Sequence, residues 1–363
     1  NAPLPSSVAI EFSSSCNINF SRIISSISTD TTKNYCSGYI SACNSSASTY
    51  FGYITKTYSD TVTLTPCTWT ISWMNGGRNS GIANLNNPAS YNIYVDAFLD
   101  NSMLTNSSPK IVPPPDRQAL VNHFNTIPFQ TLDADIDSIS YEWYVPLSTS
   151  ASTPCGYSTS YSLTQPIPGS TQPYIDTTNQ LLHFNPSAQG KFALALRVKD
   201  YRNGQLIGWS SRDFTLIVLN PANNQTAPLP TPASTFYYNT CPGQSNSINI
   251  SFQDSTAADS VYLEITQADY PSASGMNITS FVNPSIGAAS ATITWTTPLL
   301  LNPATTPFFY INIKAHDNNC PINTVSYYTI LVNHTQCSID SVWPGDADRN
   351  FVVDIYDPLA IAL

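Results

Sequence analysis

The densest chemistry in the sequence lies near its end. Asp346, Asp348, Asn350, Asp354 and Asp357 stand at relative positions one, three, five, nine and twelve, with the Val352 carbonyl at seven. A hard cation takes roughly six to eight oxygens and needs several of them on one tight loop, so this spacing predicts a calcium loop. Phe351 occupies the position where such loops carry a turn glycine, and Asp357 is shorter than the usual bidentate glutamate. A second acidic group, Asp133, Asp135 and Asp137, alternates along the start of an extended stretch. Period-two alternation puts all three on one side of a strand. Three like charges so close repel unless a cation or solvent screens them. The group therefore reads as a second cation site or as an acidic edge that discourages sheet-to-sheet pairing.

Catalytic spacing is missing. There is no GxSxG, HExxH, P-loop or GxGxxG, and His123, His183, His316 and His334 are scattered. Glu11, Glu142 and Glu264 are the only glutamates, so a paired-carboxylate hydrolase would have to rely on aspartates. The sequence predicts no intrinsic enzyme. Eight cysteines without a CxxC pair suggest disulfides and an oxidising compartment rather than a zinc site. Cys36 and Cys43 could staple a short loop, and Cys16 and Cys67 a larger one around it. Cys241 and Cys320 could tie the first strand of a later unit to its last hairpin. Spacing leaves the pairing open, and Cys155 and Cys337 have no evident mates.

The elements that must position these groups are strands. Charged residues make up 10% of the 363, against about 25% in ordinary soluble chains. Serine and threonine supply 85 residues, and twenty aspartates stand beside three glutamates. The usual exposed helix formers are almost absent, while Thr, Val, Ile, Tyr and Phe are plentiful, which predicts an all-β chain. Runs of five to eight alternating residues, such as Trp69–Trp73, Tyr91–Phe98, Ile139–Val145, Phe192–Val198, Ser247–Phe252 and Phe308–Lys314, have the length of strands with one buried face. Several strands per hundred residues with no fixed blade period point to tandem β-sandwiches.

Proline-rich stretches at 106–115 and 220–232 act as semi-rigid spacers. They divide the chain into sandwiches over residues 1–112, 113–222 and 233–337, followed by a truncated calcium-loop segment over 338–363. The net charge of −10 argues against nucleic acid, and no apolar run approaches the length of a membrane span.

Two segments carry a resemblance. The first runs Cys67-Thr-Trp-Thr-Ile-Ser-Trp73, then Arg78-Asn-Ser-Gly-Ile-Ala-Asn-Leu-Asn-Asn-Pro88, then Tyr91 to Asn101. The second runs Leu132-Asp-Ala-Asp-Ile-Asp-Ser-Ile-Ser-Tyr141, then Lys199-Asp-Tyr-Arg-Asn-Gly-Gln-Leu-Ile-Gly208 and Arg212-Asp213-Phe214. Together, over roughly residues 60–220, they resemble a module of very large secreted surface and adhesin proteins of Bacteroidota, the gliding-motility-associated, PKD-containing kind exported by type IX secretion. In that setting Asp200 is the natural fourth ligand to the Asp133 group. Asp254 and Asp259 ahead of Val261, with Ala315-His-Asp317-Asn-Asn-Cys320, resemble the cadherin-like Ig repeats that follow such modules. Those repeats carry a fuller acidic, calcium-binding box; here it reads Gln253-Asp-Ser-Thr-Ala-Ala-Asp259, a departure from that pattern. Following Trp343-Pro344-Gly345, the terminal acidic loop resembles a dockerin-type half-EF-hand. Relatives have further strands ahead of the position of Asn1, which implies that the first unit begins midway.

Seven Asp-Ser/Thr steps, each followed by an apolar residue or threonine, exceed the about two that composition gives. They resemble the O-glycosylation sequon of Bacteroidota, which would place glycans on Thr31, Thr61, Ser138, Thr177, Ser255, Ser260 and Ser341. The expectation is an extracellular structural or adhesive protein: part of a cell-surface stalk or filament, stiffened by structural calcium and disulfides. Its partners would be further copies or other surface chains, with host, prey or surface glycans as targets. The alternative is a carbohydrate-binding accessory module of a secreted enzyme, with Trp73, Trp143, Trp209 and Trp295 as a sugar-stacking platform.

Overall fold

The computed structural model describes residues 5–31, 39–48, 50–102, 105–111, 118–129, 131–133, 135, 137–169, 172–177, 180–220, 226–231, 237–256, 258–268, 279–297, 308–320 and 323–335. The calcium-loop expectation at Asp346, Asp348, Asn350, Val352, Asp354 and Asp357 lies outside these residues, as does the glycosylation expectation at Ser341.

The fold is all-β, built of Ig-like sandwiches. β1 (Ser7–Ser14), β2 (Asn19–Thr31), β3 (Ile54–Tyr58), β4 (Thr68–Asn75) and β5 (Ile93–Asp100) come first. β6 (Lys110–Ile111), β7 (Gln118–Leu120), β8 (Asn125–Pro128), β9 (Thr131–Leu132), β10 (Ser138–Tyr144), β11 (Tyr174–Asp176), β12 (Leu181–Phe184), β13 (Gly190–Arg202) and β14 (Gln205–Leu219) follow. The last group is β15 (Leu229–Pro230), β16 (Tyr237–Thr240), β17 (Ser245–Gln253), β18 (Ser260–Ala268), β19 (Thr279–Ile286), β20 (Ala288–Thr296), β21 (Phe308–His316) and β22 (Val325–His334).

In the last group, β15-β17-β20-β19 and β18-β21-β22-β16 face each other and are joined through β18 and β19. Alternation on β17 and β20 turns Ile250, Phe252, Ala291, Ile293 and Trp295 inward against Phe309, Ile311, Ile313, Ile330 and Val332. In the middle group, β11-β12-β8 covers β10-β13-β14 over a core of Phe129, Phe184, Phe192, Leu194, Leu196, Phe214 and Leu216. Both groups share one device: β7 runs parallel to β14, and β16 runs parallel to β22. In each unit a short early strand thus runs parallel to the last long one.

The long β13–β14 hairpin is set by its turn. Asn203 and Gly204 both have positive φ, 53° and 79°, the two-residue turn whose twist matches that of paired strands. Its stem reaches past its own unit. β14 pairs with β5 through Gly208↔Leu99, Trp209↔Phe98 and Ser210↔Ala97, so β1 to β5 and β10, β13 and β14 form one continuous sheet. The proline-rich stretch at 106–115 therefore does not separate two independent beads.

Side chains seal this seam. Phe98 stacks on Trp209 with centroids 4.6 Å apart. Arg197 reaches Asp96 at 3.1 Å and lies over the rings of Tyr144 and Trp209. The segment 76–92 then crosses onto β13. Ala83 N–H donates to the Lys191 carbonyl, and the buried Asn84 side chain bonds both the N–H and the carbonyl of Ala193. Alanines at 193 and 195 leave room for this approach, which explains why Phe192 to Leu196 is buried on both faces.

Arg78 completes the join. Its guanidinium meets Asp213 at 2.8 and 2.5 Å and donates to the Leu147 carbonyl, with both charged side chains almost wholly buried. Burial pushes the Asp213 carboxyl up, and the hydrogen bonds and charge of Arg78 oppose that rise.

Of the expected disulfides, Cys16–Cys67 is formed. Cys43 carries a free thiol, so the Cys36–Cys43 staple is not made; Cys36 lies outside the described residues. Cys155 is also free, buried against Ile82, Leu85 and Ala193. Cys241 and Cys320 are each disulfide-bonded, but not to each other. Thr240 pairs with His334 at the end of β22, whereas Cys320 lies in the loop entering β22 at Val325. Nine strand residues span about 30 Å, far beyond the reach of a disulfide.

Removing one member of a buried pair leaves the other uncompensated. Arg78→Met is expected to cost about 3–5 kcal/mol in urea unfolding, while Arg78→Met with Asp213→Leu recovers most of that loss. A single-variant cost below about 1 kcal/mol would show that the pair does not hold the seam.

Candidate functional site

The Asp133 group forms on the turn between β9 and β10, not along a strand as its alternation suggested; the hydrogen bonds of the turn, not strand pleating, bring the three together. Asp133 is buried and accepts the N–H groups of Asp135 (2.9 Å) and Asp137 (3.1 Å) on one oxygen, which draws the three carboxylates together. Their oxygens lie within 4.8 Å of one another. Asp200 is not part of that cluster. It sits beside it on β13, opposite Gly208, where any Cβ would stand 2.6 Å from a carboxylate oxygen. The Leu-Ile-Gly motif is thus explained by the space that Asp200 needs.

Arg202 occupies the electrostatic centre of the group. It holds both oxygens of Asp137 at 2.8 and 2.7 Å and Asp135 at 3.2 Å. It also donates to the Thr105 carbonyl. The hydrogen bonds with Asp137 are the main cause that lifts the Arg202 guanidinium above its ordinary value, against a smaller opposing cost of burial. The incoming chain is gripped from both sides: Asn106 Nδ2 donates to Asp200 at 2.5 Å and Ser107 N–H to Asp135 at 2.6 Å. The site therefore pins the start of the first proline-rich stretch to the second unit.

Two of the four carboxylates already have a cation. Burial pushes the Asp133 and Asp200 carboxyls up, aided by the neighbouring charge of Asp137, while the charge of Arg202 partly opposes the rise at Asp200. Asp200 Oδ1 is buried and has no hydrogen-bond partner. The donor set fits a cation at the Asp133–Asp200 side of the group, where an unsatisfied carboxylate oxygen waits. Spacing alone suggested the aspartates; Arg202 and Asn106 were missed. The signal for Arg202 was its place at the hairpin tip beside the strand that starts at Ser138.

The other expected positions are spread out. Thr61, Ser138, Thr177 and Ser255 are exposed, and Thr31 and Ser260 are half-buried. Among the tryptophans, Trp295 lies in the core against Tyr238 and Phe309, so it takes no part in a sugar platform. Trp209 is stacked into the seam, and Trp73 and Trp143 are half-buried on their strands. No helix among the described residues is long and apolar enough to cross a membrane.

This is an all-β chain of Ig-like sandwiches with an acidic, arginine-bridged junction. No family model and no curated protein matches it. Among solved structures it is similar to domains 4 and 5 of the S-layer protein SbsC, at 14% identity and a TM-score of 0.21, over 42% of this chain and 69% of that one. It is similar to the titin Ig tandem A164–A165 at 8% identity and a TM-score of 0.19, over 64% of this chain and 100% of that one. A protein of unknown function from Porphyromonas gingivalis W83 is similar at 10% identity and a TM-score of 0.23, over 63% and 97%.

The raised carboxyls fix a pH dependence. The folded state holds the protons of Asp133 and Asp200 more tightly than the unfolded chain does. Their contribution to stability is complete below the unfolded carboxylate value, about 4, and is lost as pH rises through the folded one. In chelator, the urea midpoint should therefore be higher at pH 5 than at pH 8, with a shallower slope in Asp200→Asn. A midpoint that climbs with pH in wild type would contradict this.

Proposed function

We propose that this chain is a non-enzymatic structural or adhesive protein of a bacterial cell surface, one segment of an extracellular stalk, fibre or filament. The observation that supports the reading is the β5–β14 seam. A sheet that runs through two units cannot hinge between them without breaking backbone hydrogen bonds, and Arg78–Asp213 and Arg197–Asp96 tie the same seam from side chains. That construction suits a chain that bears load or keeps a fixed spacing.

In this reading calcium at Asp133 and Asp200 adds stiffness where the proline-rich stretch enters the second unit, by joining groups that otherwise repel. Exposed Asp-Thr steps at Thr61 and Thr177 are suited to carry glycans, whereas a glycan on Ser138 would compete with calcium at the adjacent acidic group. The partners are further copies of the chain or other surface chains, and surface glycans are its targets.

Electron microscopy of native surface material, with and without a calcium chelator, tests the proposal. Ordered filaments whose repeat accommodates three sandwiches, softening on chelation, are the expected result. Dispersed monomers that chelation leaves unchanged would overturn it.

A further inference from the structure

A cavity of about 210 Å³ opens where the loop between β2 and β3 meets the outer face of the second unit. Its floor is the β13–β14 pair. Lys191 lies opposite Ile217 and Ala193 opposite Thr215, so alternation turns Lys191 and Thr215 away from the core that Phe192, Leu194 and Leu216 fill. One wall carries Cys43, Phe51 and Gly52, and the other carries Asn79 and Ser80. The first wall is closely built. Ala42 N–H donates to the Tyr50 carbonyl at 2.7 Å and closes the loop. A Cβ on Gly52 would stand 2.5 Å from Ser41 Oγ and 3.1 Å from Cys43 Sγ, so the wall needs glycine there. Ser41 is 2% exposed, and its hydroxyl at this wall has no hydrogen-bond partner.

The charge in the cavity is single and uncompensated. Lys191 makes no ion pair among the described residues, although acidic groups outnumber lysine and arginine in the chain by 23 to 13. Its ammonium lies 4.3 Å from the centroid of the Phe51 ring. The ring face holds the charge in place and leaves its three N–H donors to a ligand. Among the described residues no carboxylate lines the cavity, and the remaining polar groups are the neutral amide of Asn79 and the hydroxyls of Ser80 and Thr215.

This lining selects among small ligands. One ammonium with no acid beside it suits a monoanion. A free amino acid would leave its own ammonium unpaired, and a phosphate dianion would meet one cation only. The volume falls below the roughly 300–1,000 Å³ of sites for drug-sized ligands, so it holds one small ring rather than an extended chain. Neutral donors and acceptors on two sides match a ring bearing several hydroxyls. Phe51, 42% exposed, supplies an apolar surface for its C–H side.

We propose that this cavity binds an acidic sugar, a single pyranose unit carrying a carboxylate. Lys191 takes the carboxylate, Asn79, Ser80 and Thr215 take ring hydroxyls, and Phe51 packs on the apolar side of the ring. The proposal rests on the reading of glycans as targets and names the kind of glycan. It does not depend on filament formation, which microscopy tests separately.

Cys43 on the cavity wall carries a free thiol and serves as a reporter. The full chain is treated with iodoacetamide or with iodoacetate, and alkylation of Cys43 is followed by peptide mass spectrometry, with buried Cys155 as the internal control. D-glucuronate at about four times its dissociation constant should slow the iodoacetamide reaction about fivefold, whereas D-glucose and acetate should not. Lys191→Gln should abolish that protection and also lower the rate with iodoacetate relative to iodoacetamide, since the ammonium no longer gathers the anionic reagent. Thr215→Val should weaken the protection and leave the ratio of the two reagents unchanged. Absence of protection by glucuronate, equal protection by glucose, or a reagent ratio that Lys191→Gln does not move would each overturn the proposal. Acetate protecting as well as glucuronate would overturn the assignment to a sugar.

Discussion

Scarcity of positive charge is the constraint on which this structure turns. Thirteen lysines and arginines serve 363 residues, so a buried carboxylate has few cations to meet. Three of the arginines are placed at joins. Arg78 and Arg197 hold the seam between the first two units, and Arg202 holds the turn where the linker enters the second. A buried pair gains little over an apolar one in raw stability, but losing one partner is severe. Such pairs therefore fix which surfaces meet, a role that suits a modular chain.

The two acidic clusters, the Asp133 group and that of Asp254, Asp259 and Asp317, occupy equivalent places. Each lies at the end of a sandwich where a proline-rich stretch arrives: the Asn106 side chain and Ser107 N–H donate to the first, and at the second the Thr324 hydroxyl, beside Asp317, reaches the Thr226 carbonyl. Arg202 supplies the compensation at the first. At the second, no lysine or arginine among the described residues is ion-paired with Asp254, Asp259 or Asp317.

The seam also changes what a unit means in this chain. Asn84 acts as a piece of strand against β13, and the core of Ile82, Leu85, Cys155 and Ala193 is drawn from segments far apart in sequence. Disulfide pairing followed the same logic of position. Cys16 and Cys67 sit where β1 and β4 run side by side, whereas Cys241 and Cys320 are held at opposite ends of one strand.

The sequence by itself determined the strands. A chain rich in Thr, Val, Ile and aromatics, poor in helix formers and alternating with period two has one way to bury its apolar face. Asn203-Gly204 dictated a tight hairpin, a local effect of backbone, whereas the alternation of Asp133, Asp135 and Asp137 read as one side of a strand and the structure places them on a turn. Only the tertiary structure decided what those groups meet. Arg78 and Asp213 are 135 residues apart, and Asp254 and Asp317 are 63 apart. No local pattern encodes such pairings. They follow from which strand lies beside which, and that order was chosen by sheet register and by the need to compensate buried charge.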